Sequence, residues 1–380
     1  QYDGEINEKP NVMLIIIESY GREYSGAFNP NTNITGYKSY TPFIDSLAQH
    51  SLIFTNAYAN GNKSIHGMSS ILSGIPSFKD AFTSSPYANQ KIESLVSVLE
   101  SIGYHTSFFH GAENGSMGFL GYSNILGIDK YFGRNEYNND SEFDGYWGIW
   151  DEPFLQFMKD KLDEEKEPFF STVFTISSHE PYIIPKKYKD IFFEGDNRMH
   201  KCVRYTDYAL KRFFDEAKKE SWFNNTIFVM VADHANLIYY PEYRKELNLN
   251  TVPILFYHPD GRFSDINNSL AQQIDIYPTI LDMIGYDKKF RSWGRSLISD
   301  KENPFVIKYS GFYYFFYDNY VCCFDGEKVI GFYELSDASM KNNLINEKRD
   351  LMYFIEKKCK AFIQDYMNRI IDLNLAENRF

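Results

Sequence analysis

Cysteine is scarce in this chain. There are four in 380 residues, Cys202, Cys322, Cys323 and Cys359, with no Cys-x-x-Cys pair. That excludes a zinc ribbon and a disulfide framework, and the thiols name no compartment. Adjacent Cys322 and Cys323 point to opposite faces if they lie in a strand. No run approaches the roughly 18 apolar residues of a membrane span; the longest near the start, residues 12–17, has the length of a strand. No signal-peptide pattern opens the sequence, and its polar start, QYDGEINEKP, reads as a truncated or processed end. Surplus basic charge is also lacking. With 39 Lys and Arg against 51 Asp and Glu, the formal charge is −12, which excludes a general nucleic-acid binder. Repeats and low-complexity linkers are absent as well.

What is present is a folded-protein composition, 43% hydrophobic and 24% charged, with 33 Phe and 30 Tyr that imply an aromatic-rich core. The length suits one large domain, or a large one and a small one. Residues 11–18 (NVMLIIIE) form a continuous apolar run ending in an acid, the pattern of a central parallel strand buried on both faces. Glu18 then stands at its carboxyl end, where open α/β sheets place ligands. Further strands are predicted at 51–54, 104–109, 168–176, 226–231 and 252–257. Helices are predicted at 41–50, 92–102, 152–162, 205–219 and 274–284. The alternation implies an α/β fold with a mostly parallel central sheet and helices on both faces. After about residue 300 the texture becomes hairpins dense in Phe and Tyr, with turns at 318–319 and 325–326 and a long helix over 347–375. This reads as a small C-terminal α+β subdomain (301–380) packed on a catalytic domain (1–300), extending the main sheet rather than folding alone.

Residues 61–76, GNKSIHGMSSILSGIP, have the layout of a helix start with Ser64 in the first turn or at the cap. Such an end suits an anion beside a hydroxyl. Strand ends elsewhere carry Glu18, His110, His179 and the Asp233–His234 pair. Glu18, Asp233 and His234 with the Ser64 oxygen make a set of three oxygens and one nitrogen. That set favours Mn²⁺ or Mg²⁺, with Zn²⁺ also admissible, and a cation there would activate the Ser64 hydroxyl. Lys63, Arg134 and Arg204 are the cations that could serve a phosphate, Lys63 foremost. His66, one turn into the helix, could face the same pocket. His50 is read as a cap or surface residue and His105, His200 and His258 as structural, with His258, after a strand end, kept as a weak further candidate.

The same residues carry a family resemblance. NVMLIIIES with Glu18, GNKSIHG with Ser64, FFHG with His110, TISSHEPY with His179 and VMVADHAN with Asp233 and His234 resemble the lipoteichoic acid synthase-like, sulfatase-type branch of the alkaline phosphatase superfamily. VPILFYHP, QQIDIYPTILDMIG and WGRSL extend the match over roughly residues 11–300. The resemblance implies an alkaline phosphatase-like α/β sandwich in which Glu18, Ser64, Asp233 and His234 hold one Mn²⁺-like ion, and Ser64 as a nucleophile that becomes a covalent phospho-enzyme. It implies that His179 contacts the phosphoryl oxygens and assists the leaving group, with His110 nearby in the substrate pocket; Lys63 joins the substrate side by its place next to Ser64. Two departures stand out. Formylglycine sulfatases need Pro at +2 and Arg at +4 from the modified residue, where this chain has His66 and Met68. Glycerolphosphate-polymerising relatives carry a Trp and an Arg shortly after the FHG motif, where residues 112–119 (AENGSMGF) have neither.

The reading is thus a metal-dependent phosphotransferase that moves a phosphoglycerol- or phosphoethanolamine-type group from a phospholipid donor to a glycan or lipid acceptor. The alternative is a phosphodiesterase or phosphatase using water at the same site; a sulfatase or a non-catalytic binding domain comes after these. The expected setting is the extracytoplasmic face of a bacterial inner membrane, with an anchor in a missing N-terminal segment and no nucleic-acid partner.

Overall fold

Strand β1 (Asn11–Ile17) is buried along its whole length, and its side chains divide strictly between two cores. Val12, Leu14 and Ile16 enter one hydrophobic layer, while Met13, Ile15 and Ile17 enter the other. A strand this apolar has no solvent face to offer, so helices must cover both sides. Each fully buried aliphatic side chain contributes about 1.5–3 kcal/mol to that packing. A computed structural model of the chain describes residues 9–299 and 303–376.

After β1 come α1 (Pro42–Ala48), β2 (Ser51–Tyr58), α2 (Ser64–Ser73), α3 (Leu95–Ser101) and β3 (His105–His110). Next are α4 (Phe119–Leu126), β4 (Lys130–Phe132), α5 (Arg134–Tyr137), α6 (Asp151–Leu162) and β5 (Phe169–Phe174). The large sheet is completed by β6 (Thr226–Ala232), β7 (Ile254–Tyr257) and β8 (Asp265–Gln272), with α7 (Arg198–Ala217) and α8 (Ile276–Met283) packed on it. Its strand order is β4-β3-β5-β1-β6-β7-β2-β8. Among the described residues only the two pairings of β7 are antiparallel. Because β5 and β6 flank β1 in parallel, all three strands end on one edge. The two reversals at β7 turn β2 back to the same direction, so the loop after β2 delivers α2 to that edge too.

A second, four-stranded antiparallel sheet follows in the order β12-β11-β10-β9, from β9 (Phe305–Ser310), β10 (Phe312–Tyr317), β11 (Tyr320–Phe324) and β12 (Val329–Glu334). Helix α9 (Arg349–Ile371) covers one of its faces. The small sheet stands beside the main one and does not extend its ladder. The join is made by side chains: Gln272 donates to the Phe305 carbonyl and accepts from the Ile307 amide, and Asn60 donates to the Ile307 carbonyl. Cys322 and Cys323 face opposite cores, and all four cysteines are free and buried.

Several predicted bounds move. Strand β2 runs four residues past the predicted 54, to Tyr58, and α7 begins at Arg198, where the Asn197 side chain accepts from the His200 amide at 3.1 Å. The predicted 274–284 helix opens with a 3-10 turn at Gln273–Asp275 before α8. Strands β4 and β8 and helix α4 have no counterpart in the sequence reading. Strand β8 (DINNSLAQ) is an edge strand exposed over most of its first half, so it lacks the alternation that marks a half-buried strand.

Candidate active site

Glu18, the residue after β1, is buried and held from three directions. Its amide donates to Thr175 Oγ1 at 3.0 Å, its carbonyl accepts from Ser178 Oγ at 2.5 Å, and its Oε1 accepts from Ser19 Oγ at 2.6 Å. Asp233, the residue after β6, accepts the amides of Ser19 and His234 on Oδ1, both at 2.7 Å. Its other oxygen, Oδ2, is buried without a hydrogen-bond partner, although His234 Nε2 lies 3.3 Å away. His234 Nδ1 sits 3.1 Å from the Ala235 carbonyl, which can only accept. The proton of a neutral ring is therefore on Nδ1, and Nε2 turns its lone pair inward, 3.9 Å from Glu18 Oε1.

Ser64 is the first helical residue of α2, and Lys63 is the cap, with no side-chain capping bond. The hydroxyl is spent on the cluster: Ser64 Oγ donates to Glu18 Oε2 at 3.1 Å and lies 3.4 Å from His234 Nε2. Burial, and then the charge of Asp233, hold the Glu18 carboxyl well above the usual carboxylate range. One ligand atom from each of Glu18, Asp233 and His234 lies within 4.8 Å of the others. Two buried carboxylates, one of them with an orphaned oxygen, and an inward imidazole lone pair make a donor set that fits a divalent cation.

Supports from distant segments fix this cluster. Gly67 lets α2 approach closely, since a Cβ there would stand 3.0 Å from Asp233 Cα. Gln273, fully buried, donates from Nε2 to the carbonyls of Ala232 and Asp233, both at 2.7 Å, and accepts the Asn60 amide at 2.9 Å. It thus ties the end of β6 to the turn that leads into α2.

His179 lies on the loop after β5 and is half-buried. Asp151 shapes that loop by accepting the amides of Ile176 at 2.8 Å and Ser177 at 3.1 Å; burial raises its carboxyl to about 6. His179 Nδ1 donates to the Glu180 carbonyl at 3.0 Å. The Trp147 ring stands 4.2 Å from the imidazole, and its Nε1 donates to the same carbonyl at 2.7 Å. His110 ends β3 completely buried against Phe119 and Phe174. Its Nδ1 donates to the Phe174 carbonyl at 3.2 Å, its Nε2 has no partner, and burial lowers it to about 4.

The candidate cations separate. Arg134 donates to Asp140 at 2.8 Å and stacks 3.8 Å over Phe143, and Arg204 stands by Asp207, which caps α1 through the Phe43 and Ile44 amides. Lys63 is exposed at the start of α2 and forms no ion pair among the described residues. His66 is buried beside it, and His258 is paired with Asp260 at 2.8 Å.

Trp147, Asn60, Thr175, Ser178 and Gly67 were not anticipated. Trp147 is carried in by a bridge between Ala112 and Gly148, so a tryptophan reaches the segment after His110 from 35 positions further on. No local pattern announces that. Gln273 lay inside the QQID stretch but had no role attached to it.

A sequence model of the Sulfatase family matches residues 10–286. The chain is 26% identical over 332 residues to the lipoteichoic acid synthase-like protein YvgJ of Bacillus subtilis, covering 79% of this chain and 52% of that protein. It spans about half the length of the curated relatives it matches. Among solved structures, an alkaline phosphatase superfamily protein from Vibrio parahaemolyticus superposes with a TM-score of 0.82 at 26% identity, over 96% of this chain and 88% of that one. The lipoteichoic acid synthase LtaP of Listeria monocytogenes shares the fold, with a TM-score of 0.80 at 18% identity over 98% of this chain and 94% of that one.

Proposed function

The chain belongs to the sulfatase family, and from that premise we propose that it is a metal-dependent phosphotransferase working through a covalent phospho-Ser64. The observation that carries the reading is the Ser64 hydroxyl, held 3.1 Å from Glu18 and 3.4 Å from His234 inside a buried carboxylate–imidazole set. A divalent cation held by Glu18, Asp233, His234 and Ser64, for which we assign Mn²⁺ ahead of Mg²⁺ or Zn²⁺, would lower the hydroxyl pKa and polarise a phosphoryl oxygen.

Ser64 Oγ attacks phosphorus, the bond from phosphorus to the donor's leaving oxygen breaks, and a phospho-alcohol group remains on the serine. An acceptor hydroxyl then displaces Ser64. His179 handles the moving proton at Nε2, since its Nδ1–H is committed to the Glu180 carbonyl. Trp147 keeps that ring in place. Lys63, exposed, and His110, with an unpartnered Nε2, are assigned to the substrate side. Where formylglycine chemistry would need Pro and Arg, the chain has His66, packed on Gly61, and Met68 in the core. Those residues support phosphoryl over sulfuryl transfer.

The likeness to lipoteichoic acid synthase-like proteins supports a phosphoglycerol- or phosphoethanolamine-bearing lipid as donor and a glycan or lipid as acceptor. It also supports an extracytoplasmic setting at a bacterial membrane, where such donors reside. No helix among the described residues is long and apolar enough to cross a membrane. We retain the division into a catalytic domain (1–300) and a subdomain (301–380). The alternative is a phosphodiesterase or phosphatase that uses water as acceptor at the same site. The test uses fluorescent phosphatidylglycerol and phosphatidylethanolamine, with Mn²⁺, with EDTA and with Ser64→Ala. Diacylglycerol release that needs both metal and Ser64 upholds the transferase reading. Metal-dependent cleavage of a generic phosphodiester alone selects the hydrolase, and no metal binding with no turnover rejects both.

A further inference from the structure

Beside the amino end of α2 opens a cavity of about 570 Å³, whose walls include Lys63, His66, Lys79, Ser84, Ser85 and Tyr87. Lys63 and Ile65, on either side of Ser64 in the chain, both line it, while the Ser64 hydroxyl itself is turned to Glu18 and His234. Its chemistry is one-sided. Lys63 and Lys79 are both exposed, neither forms an ion pair among the described residues, and Asp80 is the one acid on the lining. Such a patch is unusual ground in a chain of formal charge −12.

The buried groups on the lining add donors. His66 is 5% exposed, and its Nδ1 accepts the Asn62 amide at 3.4 Å. The N–H of the neutral ring is therefore on Nε2, which has no partner among the described residues. Ser85 Oγ is buried and unpartnered. Helix α2 has ten residues, and its first intrahelical bonds run from the His66 and Gly67 amides to the Lys63 carbonyl. The amides of Ser64 and Ile65 are left over at the positive end of the helix dipole. Two ammonium groups, an imidazole N–H and the helix terminus thus lie along a lining whose one acid is Asp80.

We infer that this cavity, at the amino end of the helix that carries Ser64, is an anion subsite that takes a second phosphate of the substrate. The inference rests on the proposed phosphotransferase reading and sharpens it. The preferred substrates carry two phosphate groups, or pair a phosphodiester donor with an alcohol that is itself phosphorylated. It also supplies the phosphate contact that residues 112–119 do not offer.

The test is Lys79→Glu, at an exposed position where the fold is kept, with Lys79→Arg as the charge-conserving control and melting curves on both. Binding of inorganic phosphate is measured by calorimetry on chelator-treated protein carrying Ser64→Ala, so that no turnover is needed. Lys79→Glu should weaken it about tenfold, and Lys79→Arg should restore it. With the metal-loaded enzyme, Lys79→Glu should raise KM about tenfold for a substrate bearing the second phosphate, leaving kcat and the singly phosphorylated analogue unchanged. If the change follows the donor's second phosphate, the donor fills the cavity; if it follows the acceptor's, the acceptor does. Phosphate binding indifferent to Lys79, or an equal loss on substrates with and without a second phosphate, overturns the inference. Lys79-dependent phosphate binding in a protein that cleaves no phosphodiester upholds the anion site and rejects the transferase reading alone.

Discussion

Replacing Gln273 by Leu keeps the approximate volume of the side chain and removes its hydrogen bonding. The residue is fully buried, and three main-chain groups depend on it: the carbonyls of Ala232 and Asp233 and the amide of Asn60. None gains an alternative partner from leucine. An unsatisfied buried polar group costs about 1–3 kcal/mol. Three such groups, with partial relaxation, place the loss at roughly 3–5 kcal/mol, a large share of a typical total stability of about 5–15 kcal/mol. Urea unfolding followed by far-UV circular dichroism should show the midpoint falling with the slope unchanged. Because the two carbonyls belong to Asp233 and the residue before it, metal affinity should weaken as well, by about 10–100-fold, as for loss of an outer-shell support. Gln273→Glu should be at least as damaging, since a carboxylate would face two carbonyl oxygens. A Gln273→Leu protein within about 0.5 kcal/mol of wild type, binding metal normally, would refute the clamp.

Three further outcomes are expected. Gly67→Ala gains helix propensity of about 1 kcal/mol, but its Cβ would press on Asp233 backbone at 3.0 Å; activity should drop about tenfold or more while the melting temperature stays level or falls, and a more stable, fully active variant would contradict this. Glu23, which accepts the Tyr239 and Tyr240 amides, has its carboxyl raised by burial to about 7 from the usual 4.5. The folded state therefore holds that proton longer than the unfolded one, and stability falls as pH rises from about 4.5 to 7 and levels off above. Measured by denaturation, wild type should lose on the order of 2–3 kcal/mol relative to Glu23→Gln across that window, and a constant difference would count against it. Trp147→Ala should lower kcat about tenfold by freeing His179, with the metal affinity unmoved, and an equal loss in metal affinity would rule out a role confined to that ring.

Local pattern made much of this molecule legible. The apolar run before Glu18 could only be a strand buried on both faces, and VMVADH announced its neighbour by the same logic. The parallel pairing of β1 with β6, which no local pattern gives, then brings their acidic ends together. The Gly-Asn-Lys lead-in marked the start of α2 but left Ser64 open between the first turn and the cap; Lys63 takes the cap and Ser64 the first helical position. What stayed hidden depends on contacts between remote segments. Edge strand β8 reads as polar loop because its first half meets water, and Trp147 reaches His179 only through the bridge beside Ala112. The cavity by Lys63 takes its other walls from residues 79–87, which carry no periodicity at all.

The central claim is that Ser64 carries the transferred group. Metal-loaded enzyme mixed with a phosphatidylglycerol analogue, quenched in acid during turnover and analysed by intact mass and peptide mapping, reads this directly. The account predicts one phosphoglycerol adduct on the peptide containing Ser64, absent after chelation and absent in Ser64→Ala, whose turnover should fall roughly 10⁴-fold or more. Undiminished turnover by Ser64→Ala, or an adduct on any other residue, would contradict it.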